Sequence, residues 1–147
     1  MLKETTFTKD ERVNAMLAHA GILLGLFSRG TLGIVFALLI WWTQRGKSQF
    51  AARQAAQATA YQFLGLFVAL FVWLSWGVLL AGSIFVPVVL NPNNPESLQP
   101  FTMIPAMVLM IVPFAVMLGW GIYGLSAAVQ VWHGKDFSYP IIGRWFR

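Results

Sequence analysis

Tyr61-Gln62-Phe63-Leu64-Gly65-Leu66-Phe67-Val68-Ala69-Leu70-Phe71-Val72-Trp73-Leu74-Ser75-Trp76-Gly77-Val78-Leu79-Leu80 is the stretch that decides the fold. It carries no charged residue, and as a helix rising 1.5 Å per residue it reaches about 30 Å, the thickness of a bilayer's hydrocarbon core. Immediately upstream the pattern is amphipathic. Gln49, Arg53, Gln54, Gln57 and Tyr61 fall within an arc of about 140°, with Ala51, Ala55 and Ala58 opposite. One long helix over 48–84 is expected, with a polar-sided start and an apolar membrane portion that contains Trp73 and Trp76.

Three further apolar segments flank it. The first, 10–27, has Asp10 as its expected N-cap and Glu11 in the first turn. At about 27 Å it just spans if its polar start sits in the interface. Asn14, Ala18, Gly21 and Gly25 share one face of it, the small residues permitting close helix approach. The second, 31–43, reaches only about 20 Å, short for a full span, so the first two segments form either short crossings or a re-entrant hairpin. Gly33 and Ala37 form another small pair in it, and Trp41-Trp42 suit an interface. A loop is expected from Pro87 to Pro100. The last segment, 101–132, contains Pro113 and should kink near Leu109 to Pro113. Gly134 is its natural stop.

Bulk composition agrees with lipid as solvent. Hydrophobic residues make up 58% and charged residues 10% of the 147 residues, against about a quarter charged in soluble domains. Of the ten Lys and Arg residues, Lys3, Lys9, Arg12, Arg45, Lys47, Arg53, Lys135, Arg144 and Arg147 fall on one side when the segments alternate across a membrane, and Arg29 alone on the other. Basic residues near span ends resist translocation, which predicts a multi-pass membrane protein with both termini cytoplasmic. Topology explains the +5 net charge better than nucleic acid does, and the basic triads can hold anionic head groups. With no cysteine, disulfides and thiolate chemistry are excluded.

The closing run over 135–147 is the most distinctive. Pro140 holds Tyr139 extended and opens a short turn. Ile141, Ile142, Trp145 and Phe146 are expected on the membrane surface, with Arg144 and Arg147 toward lipid phosphates. Tyr139, Pro140, Arg144 and Trp145 therefore form a candidate interfacial or partner-binding tail.

Three pieces carry a family resemblance: Glu11-Arg12-Val13-Asn14-Ala15-Met16-Leu17-Ala18-His19, Ala52-Arg53-Gln54-Ala55, and Gly134-Lys135-Asp136-Phe137-Ser138-Tyr139-Pro140-Ile141-Ile142-Gly143-Arg144. With them the chain resembles a prokaryotic family of small membrane proteins described as similar to the twenty-kilodalton Tic subunit of chloroplast protein import. The resemblance implies four membrane helices and a part in translocation or membrane-complex assembly, and it transfers no catalytic residue.

Candidate chemistry is sparse. His19 sits two turns into the first helix, where a hydrogen bond to Gln54, Gln57, Tyr61 or a backbone carbonyl explains it better than proton relay. Glu4, Asp10, Glu11, Glu96 and Asp136 lie outside the apolar spans and assemble no metal site with two distant histidines. No nucleophile has a matching base. No catalytic residue, metal or cofactor is expected. Asn14, His19, Arg53, Gln54, Gln57 and Tyr61 outline a polar crevice at the cytoplasmic ends of the first and third helices, which the tail could close. It could receive a partner peptide or lipid head group, or serve as an internal lock. The expectation is an all-α integral membrane protein, a four-helix transmembrane bundle with a Pro-kinked fourth helix and a short interfacial C-terminal segment. It would be non-enzymatic, a scaffold, assembly or translocon-like subunit that contacts the bilayer and other membrane subunits or itself. The alternatives are a small oligomeric channel or transporter, or a lipid-binding membrane protein.

Overall fold

A computed structural model describes residues 7–146. Lys3, Glu4 and Arg147, used in the charge and lipid-contact arguments, lie outside the described residues. Among the described residues every regular element is helical: α1 (Lys9–Ala20), α2 (Ile22–Phe27), α3 (Thr31–Gln44), α4 (Gln49–Leu90), α5 (Gln99–Val108) and α6 (Ile111–Trp132), with 3-10 turns at Pro95–Ser97 and Ile142–Phe146. The chain divides into two compact units, Met1–Leu66 with Trp120–Arg147, and Phe67–Gly119.

In the first unit, α1 is capped by Thr8 rather than Asp10. The Thr8 hydroxyl accepts from the Glu11 amide, and the Glu11 carboxylate accepts from the Thr8 amide at 2.8 Å. Thr8 with Glu11 three residues on satisfies two orphan amides at once, where a cap at Asp10 would satisfy one. The second Glu11 oxygen accepts from the Ser48 hydroxyl at 2.7 Å, and Ser48 in turn accepts from the Ala51 amide at 3.1 Å. One carboxylate thus ties the start of α1 to the start of α4. These bonds, Ser48 first and then Thr8, hold the Glu11 carboxyl below its ordinary range.

The expected first helix is divided at Gly21 into α1 and α2. Gly33 of α3 packs against the Gly21 carbonyl so closely that a Cβ on Gly33 would sit 2.6 Å from that oxygen. The turn into α3 places Arg29 at φ 53° and Gly30 at φ 94°. Left-handed backbone is ordinary for Gly30 and strained for Arg29. Ala18, Ala37, Ile40, Ala55 and Ala58 form a buried cluster joining α1, α3 and α4. The small-residue faces seen in the sequence are what let these helices close on one another. A second cluster joins Ala15, Phe50, Tyr61, Ala127 and Val131 to Phe137, Tyr139 and Ile142 of the tail. The start of α4 is therefore buried on both its alanine face and its glutamine face.

At the end of α6 the Lys135 amide donates to the Gln130 carbonyl and the Gly134 amide to the Val131 carbonyl. This paired closure has Gly134 at φ 79° as its left-handed residue, and it aims the tail back across α4.

In the second unit α4 does not end before Pro87; it continues to Leu90, and the loop shrinks to 91–98. Pro87 lacks the amide that would bond the Ser83 carbonyl. The Thr102 hydroxyl of α5 donates to that carbonyl instead, at 2.7 Å. The same logic recurs where the last long segment divides at Leu109-Met110, the place expected to kink. The Met110 amide bonds Met107 there, leaving the Ala106 carbonyl to accept from the Trp76 indole at 3.0 Å. Pro113 falls in the first turn of α6, where no amide is needed. Both cross-helix bonds in this unit thus go to carbonyls that lost their helical partner.

Two helical segments, Gln49–Leu90 and Gln99–Trp132, are long and apolar enough to cross a membrane. Their most apolar windows bury only 0% and 11% of their residues within the protein, whereas a soluble core helix would hide its apolar face. The chain is an all-helical membrane protein with two long apolar helices. α3 is apolar and shorter, at fourteen residues.

Candidate functional site

Gln54 is the hub of the polar cluster at the start of α4 and is fully buried (0% exposed). Its amide nitrogen donates to Asp136 Oδ1 at 2.9 Å and to the Phe137 carbonyl at 2.8 Å. Both donor positions being used, the oxygen faces His19 Nε2 at 3.0 Å and must accept from it. His19 Nδ1 is then the acceptor for the Tyr139 hydroxyl at 3.1 Å. This arrangement satisfies a neutral imidazole completely and fixes its tautomer. Gln57 accepts from the Tyr139 amide at 3.3 Å.

The layer also contains Arg53 and Asp136, which form an ion pair and are each partly exposed. Such charges are costly in hydrocarbon and at home among head groups. Within the layer, burial pushes the His19 imidazole down to about 4, the Gln54 contact opposing only part of the shift. Burial, then the Tyr61 and Tyr123 phenols, push Tyr139 above the ordinary phenol range.

Three rings stack in a column: Trp120 on Tyr61 at 4.6 Å, and Tyr61 on Tyr139 at 4.2 Å, both nearly parallel. Phe137 and Tyr123 meet Tyr139 edge-on. The Tyr61 hydroxyl donates to the Trp120 carbonyl at 2.8 Å.

Beside the network a cleft of about 180 Å³ opens, lined by Arg53, Gln57, Asp136, Phe137, Ser138, Gly143 and Phe146. Arg53 Nη2 donates to Asp136 Oδ2, while Arg53 Nε is screened from water without a partner.

Of the residues singled out from sequence, His19, Gln54, Gln57, Tyr61 and Tyr139 meet in one buried cluster, and Arg53 lines its outer edge. Asn14 stands apart, its amide donating to the Asp10 carbonyl one turn back. Pro140, Arg144 and Trp145 lie on the exposed side of the tail. The tail does not lie flat on the surface as expected. Ile142 is buried (5% exposed) and Phe146 packs against the same core, leaving Ile141 and Trp145 outside at 71% and 75%. Alternating inward and outward side chains seat the segment in the unit. Sequence reasoning missed Asp136, Phe137 and Trp120 as members; an acidic residue two positions past the helix-ending Gly134 was the available signal. Among the described residues no three His, Asp or Glu side chains converge.

Residues 10–146 match the family model of the MamF/MmsF magnetosome magnetite crystal formation proteins. No curated protein and no solved structure matches the chain. The family match overturns the resemblance to the Tic-like proteins. Its three supporting stretches all lie inside the matched region. They do local work: a capping box, a buried helix start and an aromatic tail.

Proposed function

Because the chain belongs to the MamF/MmsF magnetosome magnetite crystal formation family, we propose that it is a non-enzymatic scaffold of the magnetosome membrane that supports crystal formation by packing with other membrane subunits or with itself. The observation that carries this reading is where the chain's interaction capacity is left. The buried part of the polar crevice, around His19 and Gln54, is closed internally by the tail, whereas Gly77 and Gly82 of α4 and Gly119 of α6 have nothing within 4 Å of a would-be Cβ. Open glycines on apolar helices suit close approach by another helix in lipid.

The membrane arrangement we favour has α4 and α5–α6 crossing fully, and α2 and α3 entering as a re-entrant hairpin. Gly30 at the hairpin turn lies against Leu66, only thirteen residues, or about 20 Å of helix, beyond Arg53. That supports the re-entrant form over two further crossings. The basic residues keep both termini on the cytoplasmic side, where Arg45 stacks over Trp42 at 3.8 Å as an interfacial anchor. A pore reading has less support, since Ser83 and Thr102 bond backbone carbonyls and so contribute no free polar stripe.

Deleting the gene in a magnetite-forming cell should change crystal size or number, and the full chain should restore it. Extraction in native nanodiscs with an affinity tag should retrieve a stable assembly that Gly77→Leu disrupts. Unchanged crystals, or a monodisperse single copy, would sink the scaffold reading.

A further inference from the structure

We propose that the cleft between α4 and the C-terminal tail holds the zwitterionic head group of an aminophospholipid, its phosphate on Arg53 and its ammonium on Asp136. This rests on the membrane reading above and adds a ligand class to it.

The cleft presents one charge of each sign. Arg53 is partly exposed and donates from Nη2 to Asp136, one of the five N–H groups of a guanidinium. Asp136 accepts one bond on each oxygen, from Arg53 and from Gln54, which leaves each oxygen a further acceptor position. A simple anion would be repelled by Asp136 and a simple cation by Arg53. A group carrying both charges a short distance apart satisfies both. Ser138, an exposed residue, also lines the cleft.

Size and depth agree. The volume of about 180 Å³ equals about six waters of liquid, enough for phosphoethanolamine. Gly143 lines the cleft and has no side chain of its own, and the Ser138 side chain packs into the place its Cβ would take. Ile141 and Trp145 project from the same tail as exposed apolar groups, offering acyl chains a surface that a free metabolite would not use.

The test places the full chain in nanodiscs of equal phosphatidylethanolamine and phosphatidylglycerol, releases it, and weighs the retained lipids by native mass spectrometry. Phosphatidylethanolamine should be enriched about fivefold over bulk, the order of one charge-assisted contact at a partly exposed site. Asp136→Asn should turn the preference toward phosphatidylglycerol, and Arg53→Gln should lower retention of both. Ser138→Leu, which fills the cleft and leaves both charges, should abolish the preference. Retention in the bulk ratio, a wild-type preference for phosphatidylglycerol, or a preference that survives Ser138→Leu would overturn the proposal. Soluble phosphoethanolamine binding as tightly as the lipid would overturn the lipid assignment. Failure to enter nanodiscs at all would overturn the membrane reading and the proposal with it.

Discussion

Replacing Gln54 with Leu tests whether the buried network holds the tail to the helices. The volume is nearly conserved, so little cavity energy enters. Two groups lose their partners in the interior: the His19 Nε2–H and the Phe137 carbonyl. Asp136 is partly exposed and recovers a bond from water. Each buried orphan costs about 1–3 kcal/mol, and the added apolar side chain offsets some of that, for a net loss of about 3 kcal/mol. That is about a hundredfold in the folding equilibrium and a large share of a typical total stability. SDS unfolding followed by Trp fluorescence measures it directly. Tyr139→Phe is the companion change. It leaves only the His19 Nδ1 acceptor unpaired and should cost about 1 kcal/mol. Because both substitutions act through one imidazole, the double variant should be less destabilised than the sum by about 1 kcal/mol. A Gln54→Leu loss below about 1 kcal/mol, or strict additivity, would refute the view that these bonds act as one unit.

His19 supplies a pH dependence. Its folded value of about 4 lies below the ordinary 6.5, so the unfolded chain binds the extra proton first and stability rises with pH across that window. Stability should be full above about pH 6.5 and fall by about 3 kcal/mol toward pH 4, and His19→Asn should flatten that slope in thermal melts. Thr102→Val should cost about 1 kcal/mol by orphaning the Ser83 carbonyl, and Pro87→Ala, which restores the amide, should make the same change nearly neutral. A Thr102→Val penalty of equal size in both backgrounds would count against the carbonyl-rescue account. Gly65→Ala should destabilise by about 1–3 kcal/mol, because its Cβ would drive into the Trp120 indole. Gly46→Ala, with nothing within 4 Å, should show no such loss in the same SDS assay.

Hydrophobic patterning by itself determined the helical class, the apolar membrane portion of α4 and of the last segment, and the amphipathic start of α4. Each is a local property, readable from which residues recur at helical spacing. Small-residue faces on the first two segments likewise foretold a contact, and Gly33 against Gly21 is that contact. The tertiary structure alone decided what the polar residues do. His19 and Tyr139 are 120 positions apart, and no local period says that the tail turns inward to close the crevice instead of lying on the membrane. The helix through Pro87 is a similar case. The sequence shows an amide missing, but only the fold brings Thr102 to the carbonyl left behind. A hydrogen bond forms where donor and acceptor arrive together, and that arrival is set by packing between distant segments, which composition and spacing do not encode.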